Sequence, residues 1–211
     1  MITKQLLDPK SIVVVGGSDN IQKPGGKVLK NLIDGNFRGD LYVANPKEDE
    51  VQGIKSYKNP GELPQVDLAI LAIAAKYCPD TIKLLAEQKN TKAFIILSAG
   101  FSEENEEGAK LENEIVDIVN DNNACLIGPN CVGVLSQNHN GVFTTPIPSL
   151  DSQGVDFISG SGATAVFIME SAMPKGLKFS SVFSVGNSAQ IGVEEVLEYL
   201  DKTFDPQTSS K

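Results

Sequence analysis

The sequence predicts an α/β protein on a parallel sheet, with one complete domain followed by an incomplete second one. Three observations carry this. Short β-branched runs alternate with amphipathic stretches along the chain, the rhythm of strands joined by crossover helices. The first run, Ile12-Val13-Val14-Val15, is continuous and not alternating, as expected of a strand buried on both faces. A glycine-rich turn follows it directly, where open α/β sheets place their ligand loops.

Taken in order, Val28, Leu29, Leu32 and Ile33 recur at helical spacing and stop at Gly35, a common helix end. Leu41-Tyr42-Val43 gives a second strand, ending at Asn45-Pro46. Residues 67–73 give a third strand with a helix over 81–89 behind it, and residues 93–97 a fourth. Residues 103–120 form the clearest helix: acidic side chains crowd its first turns against the dipole, and Leu111, Ile115, Ile118 and Val119 line its inner face. A fifth strand over 124–127 closes at Gly128-Pro129-Asn130. This is a Rossmann-like domain over residues 1–145. The stretch 137–152, with Pro146 and Pro148, reads as a connection. Strands over 155–158 and 179–185, with helices over 163–173 and 191–200, then begin a second α/β domain over 146–211. Two βα units leave that domain half built, so a truncated chain or a completing partner is expected.

Composition narrows the function. The 211 residues carry a formal net charge of −9, which argues against nucleic acid or an anionic membrane surface as partner. An anionic ligand must then be held by backbone donors and a few placed lysines. Cys78, Cys125 and Cys131 share no metal-type spacing, so they read as reduced thiols and no metal site is expected. The single histidine, His139, stands among Asn and Gly and reads as a surface residue. With no apolar run of signal or membrane-span length, a cytoplasmic location is expected.

The loop Gly16 to Gly26 carries the chemistry. Glycines let backbone N–H groups approach an anion, the following helix N-terminus adds its dipole, and Lys23 adds a charge. Ser18 and Ile21 stand where a GxGxxG fingerprint needs glycine, and Val28 follows Gly26-Lys27 where a Walker A loop needs Ser or Thr. At the end of strand two, Asn45-Pro46-Lys47 replaces the acidic residue of NAD-binding domains. A lysine there suits an extra phosphate, such as the 3′-phosphate of coenzyme A or the 2′-phosphate of NADP; a solvated lysine in a proline turn is the plain alternative. The other strand ends, Ile73-Ala74-Ala75, Ser98-Ala99-Gly100 and Gly128-Pro129-Asn130, fall on the same carboxyl edge. Their small side chains leave room for an extended ligand.

Several longer motifs, in order, carry a resemblance. They are Val13-Val14-Val15-Gly16-Gly17-Ser18 with Lys23-Pro24-Gly25-Gly26, Val43-Ala44-Asn45-Pro46-Lys47, Ile96-Leu97-Ser98-Ala99-Gly100-Phe101 and Ile127-Gly128-Pro129-Asn130-Cys131-Val132-Gly133. Phe157-Ile158-Ser159-Gly160-Ser161-Gly162-Ala163 and Phe183-Ser184-Val185-Gly186-Asn187 complete them. From Asp8 to Pro206 the chain resembles the CoA-binding region of NDP-forming acyl-CoA synthetases, the superfamily of succinyl-CoA synthetase α-subunits, and most closely the ADP-forming acetate–CoA ligase type.

The resemblance implies a CoA-binding Rossmann-like domain followed by a flavodoxin-like one. It implies the reaction acyl-CoA + ADP + phosphate to acid + CoA + ATP, through an acyl phosphate and a phosphohistidine. Coenzyme A would be held by Gly16, Gly17, Ser18, Lys23, Gly25, Gly26, Asn45, Pro46, Lys47, Ile73, Ala74, Ala75, Ser98, Ala99 and Gly100, with Asn130 near its thiol end. Ser159, Gly160, Ser161 and Gly162 would hold phosphate at a helix N-terminus. The partners implied are CoA, acyl-CoA and an ATP-grasp domain or subunit that binds ADP or ATP. Ala74 stands where the family usually has proline, and the phosphorylated histidine belongs downstream of residue 211, so this chain alone is expected to be inactive. A stand-alone CoA-binding regulatory module and, more remotely, an NADP-dependent oxidoreductase are the alternatives.

Overall fold

The computed structural model describes residues 1–203; the end of the second domain, 204–211, lies outside the described residues. A single helical turn, α1 (Lys4–Leu7), precedes β1 (Ser11–Val15), whose five residues are all buried. The period-2 alternation of a strand splits them. Ile12 and Val14 enter a core with Val28, Leu29 and Leu32, while Val13 and Val15 enter a second core with Ile82, Leu85, Ile115 and Val119. Helices therefore cover both faces, which is why residues 12–15 contain no polar position.

From β1 the chain passes through α2 (Pro24–Asp34), β2 (Asp40–Ala44), β3 (Glu50–Val51) and β4 (Ile54–Tyr57). It returns through β5 (Leu68–Leu71), α3 (Cys78–Lys89), β6 (Ala93–Ile96), α4 (Glu106–Asp121) and β7 (Cys125–Ile127). The strand order is β3-β4-β2-β1-β5-β6-β7. All neighbours are parallel except the β3–β4 hairpin. The order reverses between β1 and β5, and in open α/β sheets the crevice beyond such a reversal is where ligands bind.

A second sheet holds β8 (Gly133–Ser136), β9 (His139–Val142), β10 (Leu150–Ser159) and β11 (Phe179–Ser184) in the order β10-β11-β8-β9. β10 and β11 are parallel and joined through α5 (Gly162–Ala172), and α6 (Val193–Thr203) follows β11. The structure departs from the sequence reading in three places. The stretch 137–152 is not simply a connection, since β9 and the start of β10 lie in it. His-Asn-Gly-Val has no strand signature; it is ordered by antiparallel pairing with β8. Nor was the β3–β4 hairpin evident, because its strands are short and its register comes from β2, with Val43 opposite Ser56 and Ala44 opposite Tyr57.

His139 is the third correction. It is only 4% exposed. One ring nitrogen, Nε2, lies 2.8 Å from the Leu6 carbonyl oxygen, and Nδ1 accepts from the Gly141 N–H at 3.1 Å. Nδ1 as acceptor leaves the proton on Nε2, which donates to Leu6. Ser136 Oγ and Asn138 Nδ2 donate to the Leu7 carbonyl at 3.0 and 3.1 Å. The hairpin thus satisfies the carbonyls that a short helix such as α1 leaves open at its C-terminus. Asn31 does comparable work on α2: its buried Nδ2 donates to the carbonyls of Val142 and Thr144 at 2.6 and 3.0 Å. Sequence neighbours of His139 are polar, but the group it serves is 133 residues away.

Burial holds the His139 imidazole down to about 4, against the Leu6 hydrogen bond that raises it. Between that value and the ordinary 6.5 the unfolded chain binds a proton that the folded chain refuses. Stability is therefore complete above about pH 6.5 and falls as the pH drops towards 4, by up to about 3 kcal/mol from this group. Urea unfolding at pH 7, 5.5 and 4.5 is expected to show that decline, and His139→Gln should flatten it while lowering stability at pH 7.

Candidate functional site

The loop after β1 is shaped by close backbone approach. Gly16 has φ +85°, a conformation that costs other residues strain. A Cβ on Gly25 would overlap the Gly16 carbonyl oxygen, and one on Gly26 would overlap the Asn20 carbonyl oxygen. The start of α2 can therefore press directly onto the end of β1. Pro24 opens the helix at a position where the missing N–H costs nothing. The N-cap residue Lys23 makes no side-chain cap, so the N–H groups of Gly25 and Gly26 have no partner within the helix. Upstream, Asn20 N–H donates to Ser18 Oγ and Gln22 N–H to Asn20 Oδ1, at 3.1 and 2.9 Å. The N–H groups of Ser18, Asp19 and Ile21 make no hydrogen bond among the described residues.

Asn45 acts on this loop instead of standing free. Its Nδ2 donates to the Gly17 carbonyl at 2.8 Å, and its Oδ1 accepts from the Lys47 N–H at 2.9 Å. One side chain joins the end of β2 to the loop after β1. Lys23 and Lys47 are exposed and Lys27 is partly exposed, and none is in an ion pair among the described residues. In a chain of net charge −9 these lysines make the loop locally cationic.

Gln52, which sequence reasoning missed, braces the same loop. Its Nε2 donates to the carbonyls of Ser18 and Gly26, each at 2.8 Å, and its backbone N–H donates to Asp19 Oδ1 at 2.7 Å. Its Oε1 is buried without a partner, an arrangement that costs about 1–3 kcal/mol in ordinary cases. The available signal was Gln52-Gly53 between Val51 and Ile54, an X-Gly hairpin turn.

Further along the edge, Ala74, Ala75, Ala99 and Gly100 line one shallow groove of about 370 Å³, although Ala75 itself is mostly buried in the core. Ile73 is half-buried at the end of β5, and an added Cβ on Gly16 would meet its side chain. The Gly100 N–H is occupied, donating to Glu103 Oε1 at 2.6 Å. Burial raises the Glu103 carboxyl, but hydrogen bonds from Asn187 and from the N–H groups of Gly100 and Phe101 outweigh it and hold it below the usual range.

The residues expected to hold phosphate lie across an inter-sheet cleft of about 500 Å³. It brings Asn130 together with Gly160, Ser161 and Gly162 and adds Val132, Phe143 and Val166 as an apolar wall. Ser159 does not line it. The Ser159 hydroxyl accepts from the Ser161 N–H and donates to the Ser161 carbonyl, at 3.1 and 2.9 Å, closing a local turn. Ser161 caps α5, its Oγ accepting from the Thr164 N–H at 3.3 Å. Asn187 fastens this region to α4 and the turn before it through hydrogen bonds to Glu112 Oε2, Glu103 Oε2 and Ser102 Oγ. Burial pushes the thiols of Cys131, beside the cleft, and Cys78, in the core, up to about 12. They are small core residues and not thiolates. A larger cleft, about 620 Å³, lies at the opposite end of β1 around Lys10, Arg38 and Asn140 and contains none of these residues.

Comparison with known families bears on this geometry. Residues 10–137 match the model described as a CoA binding domain, about three-fifths of the chain. The chain belongs to this CoA-binding-domain family. Residues 152–210 match a succinyl-CoA ligase like flavodoxin domain, so the Rossmann-like and flavodoxin-like assignments hold. A trans-feruloyl-CoA synthase from an unknown prokaryotic organism is 39% identical over 93% of this chain and 28% of its own length. The alpha subunit of an ADP-forming acetate–CoA ligase II from Pyrococcus furiosus is 38% identical over 93% of this chain and 42% of its own. Among solved structures, a dinucleotide-forming acetyl-coenzyme A synthetase 1 from Ca. Korarchaeum cryptofilum, in complex with phosphate and ADP, superposes with TM-score 0.87 and 32% identity. That match covers 97% of this chain and 43% of the other. The chain thus spans less than half the length of these relatives. Among the described residues no helix is long and apolar enough to cross a membrane, and no cluster of His, Cys, Asp or Glu forms a metal site.

The Gly16–Gly25 contact gives a direct test. Gly25→Ala should cost about 1–3 kcal/mol through overpacking, read as a Tm lowered by about 2–4 °C for each kcal/mol. A melt unchanged from the parent chain would contradict the close approach.

Proposed function

We propose that this chain is the CoA-binding portion of an ADP-forming acyl-CoA synthetase. In this reading the loop Gly16 to Gly26 and the strand ends Asn45–Lys47, Ile73–Ala75 and Ser98–Gly100 hold coenzyme A, with Asn130 towards its thiol. Gly160, Ser161 and Gly162 hold a phosphoryl group at the start of α5. The observation that carries the proposal is the cluster of N–H groups at Ser18, Asp19, Ile21, Gly25 and Gly26 unpaired among the described residues, beside lysines without ion-pair partners among them. Backbone donors at a helix N-terminus suit a phosphate-rich ligand in an otherwise acidic protein.

Bound CoA supplies the thiol that carries the acyl group; these residues bind and orient it. In this reading the thiol end and the phosphoryl site share the cleft of about 500 Å³ between the two sheets, which Asn130, Gly160, Ser161 and Gly162 line. Nucleotide chemistry is assigned to an ATP-grasp domain or subunit, in line with a similar synthetase solved with phosphate and ADP. We place the protein in the cytoplasm, where its three buried free cysteines stay reduced.

Calorimetry with CoA, dephospho-CoA and NADPH tests this reading. The chain should bind CoA more tightly than dephospho-CoA, and Lys47→Ala should weaken CoA roughly tenfold, the usual worth of one charge-assisted contact, without changing dephospho-CoA binding. Equal affinity for the two ligands would remove Lys47 from the site. Tighter binding of NADPH than of CoA would overturn the proposal itself.

A further inference from the structure

We propose that Gln52 is the positioning residue that sets the phosphate loop in its binding shape, acting from a hairpin two strands away from β1. This rests on the reading that the loop binds CoA. Gln52 and Gly53 form the two-residue turn between β3 and β4, with φ of +50° and +80°. A left-handed pair is the usual hairpin solution, but Asn, Asp or Gly is its usual first residue. Glutamine has no local advantage there, so its side chain must be useful elsewhere.

That use is visible in three bonds that end on the loop. Nε2 spans the Ser18 and Gly26 carbonyls, the outgoing loop and the first turn of α2, and the backbone N–H ties the Asp19 carboxylate to the hairpin. Rotating the amide by half a turn would set Oε1 against two carbonyl oxygens, so the donors fix its orientation. The buried, unpartnered Oε1 follows from that choice. In a planar trans peptide the C=O and the next N–H point in opposite directions. Holding the Ser18 carbonyl to Gln52 therefore turns the Asp19 N–H away from the hairpin. Asn45 does the same for the Ser18 N–H by holding the Gly17 carbonyl. Two side chains, one just beyond β2 and one in the β3–β4 turn, thus orient consecutive donors of the loop without needing to touch the ligand.

Two variants of the full chain test this. Gln52→Glu keeps the shape but replaces the donor with a carboxylate facing two carbonyls. Gln52→Asn suits the left-handed turn and keeps the backbone bond to Asp19 but is too short to span Ser18 and Gly26. Both should weaken CoA binding by about tenfold or more, because ordering the released loop on binding costs about what the two lost hydrogen bonds supplied, and both should speed amide exchange in the free protein at Asn20 and Gln22, whose N–H groups are bonded within the loop. Their melting temperatures should fall, by no more than that of His139→Gln. His139→Gln, which lowers stability far from the loop, should bind CoA as the parent does; this separates positioning from general destabilisation. CoA affinity within twofold of the parent in both variants overturns the assignment, as does unchanged exchange at Asn20 and Gln22. A parent chain that fails to bind CoA overturns the proposed function instead, and the exchange measurement then decides alone whether Gln52 sets the loop.

Discussion

The contact between residue 25 and the Gly16 carbonyl is the constraint on which the site depends. Neither residue can carry a side chain there: Gly16 has φ +85°, and a Cβ on Gly25 would overlap that carbonyl. Because both are glycine, α2 descends onto the end of β1 with its first N–H groups beside the point where the strand order reverses. The direction of the helix dipole, the depth of the loop and the packing of Val28, Leu29 and Leu32 against Ile12 and Val14 are all set by this one approach. Moving the helix outward by the width of a methyl group would open that core as well as the loop.

A second backbone approach joins the sheets. Gly186, at φ +56°, lies so close to the Pro129 carbonyl that a Cβ would overlap it. The N–H groups of Asn187 and Ala189 donate to the Pro129 and Gly128 carbonyls at 2.9 and 3.2 Å. Gln190 Oε1 accepts from the Leu126 N–H at 2.7 Å. The loop after β11 therefore satisfies the open edge of β7, which would otherwise present unpaired groups to solvent. This makes the inter-sheet cleft a property of the fold: its walls are held by main-chain bonds at the base and by Asn187 between Glu103 and Glu112 above.

What was legible in the sequence follows from these forces. β1, β5, β6 and β7 are fully buried runs, so their composition alone reveals them. The glycines at 16, 25 and 26 are legible too, because backbone approach excludes every other residue type. The hairpin β3–β4 and strand β9 are not, since pairing rather than composition orders them. His139, Asn31 and Gln52 share a different obscurity. Each hydrogen-bonds to carbonyls of residues distant in sequence, and a carbonyl belongs to every residue, so nothing in the sequence marks the partner. Ser159 is a different case: its motif points to a ligand contact, and in the structure its hydroxyl closes on Ser161.

The two helix N-termini proposed to hold anions differ in the donors around them. At α2 the N-cap is Lys23, which supplies no acceptor, so Gly25 and Gly26 keep their donors and the unbonded N–H groups of the preceding loop add to them. At α5 the N-cap is Ser161, whose hydroxyl takes up the Thr164 N–H and leaves only the donors of the residues before it. The first arrangement spreads donors over an extended anion with several charges, as in the proposed CoA phosphates. The second concentrates fewer donors on one small group, as in the proposed phosphoryl site. Pro24 lacks an N–H and Ser161 takes up that of Thr164, so each first turn keeps two donors, and the difference in capacity comes from the unbonded N–H groups of the loop before α2.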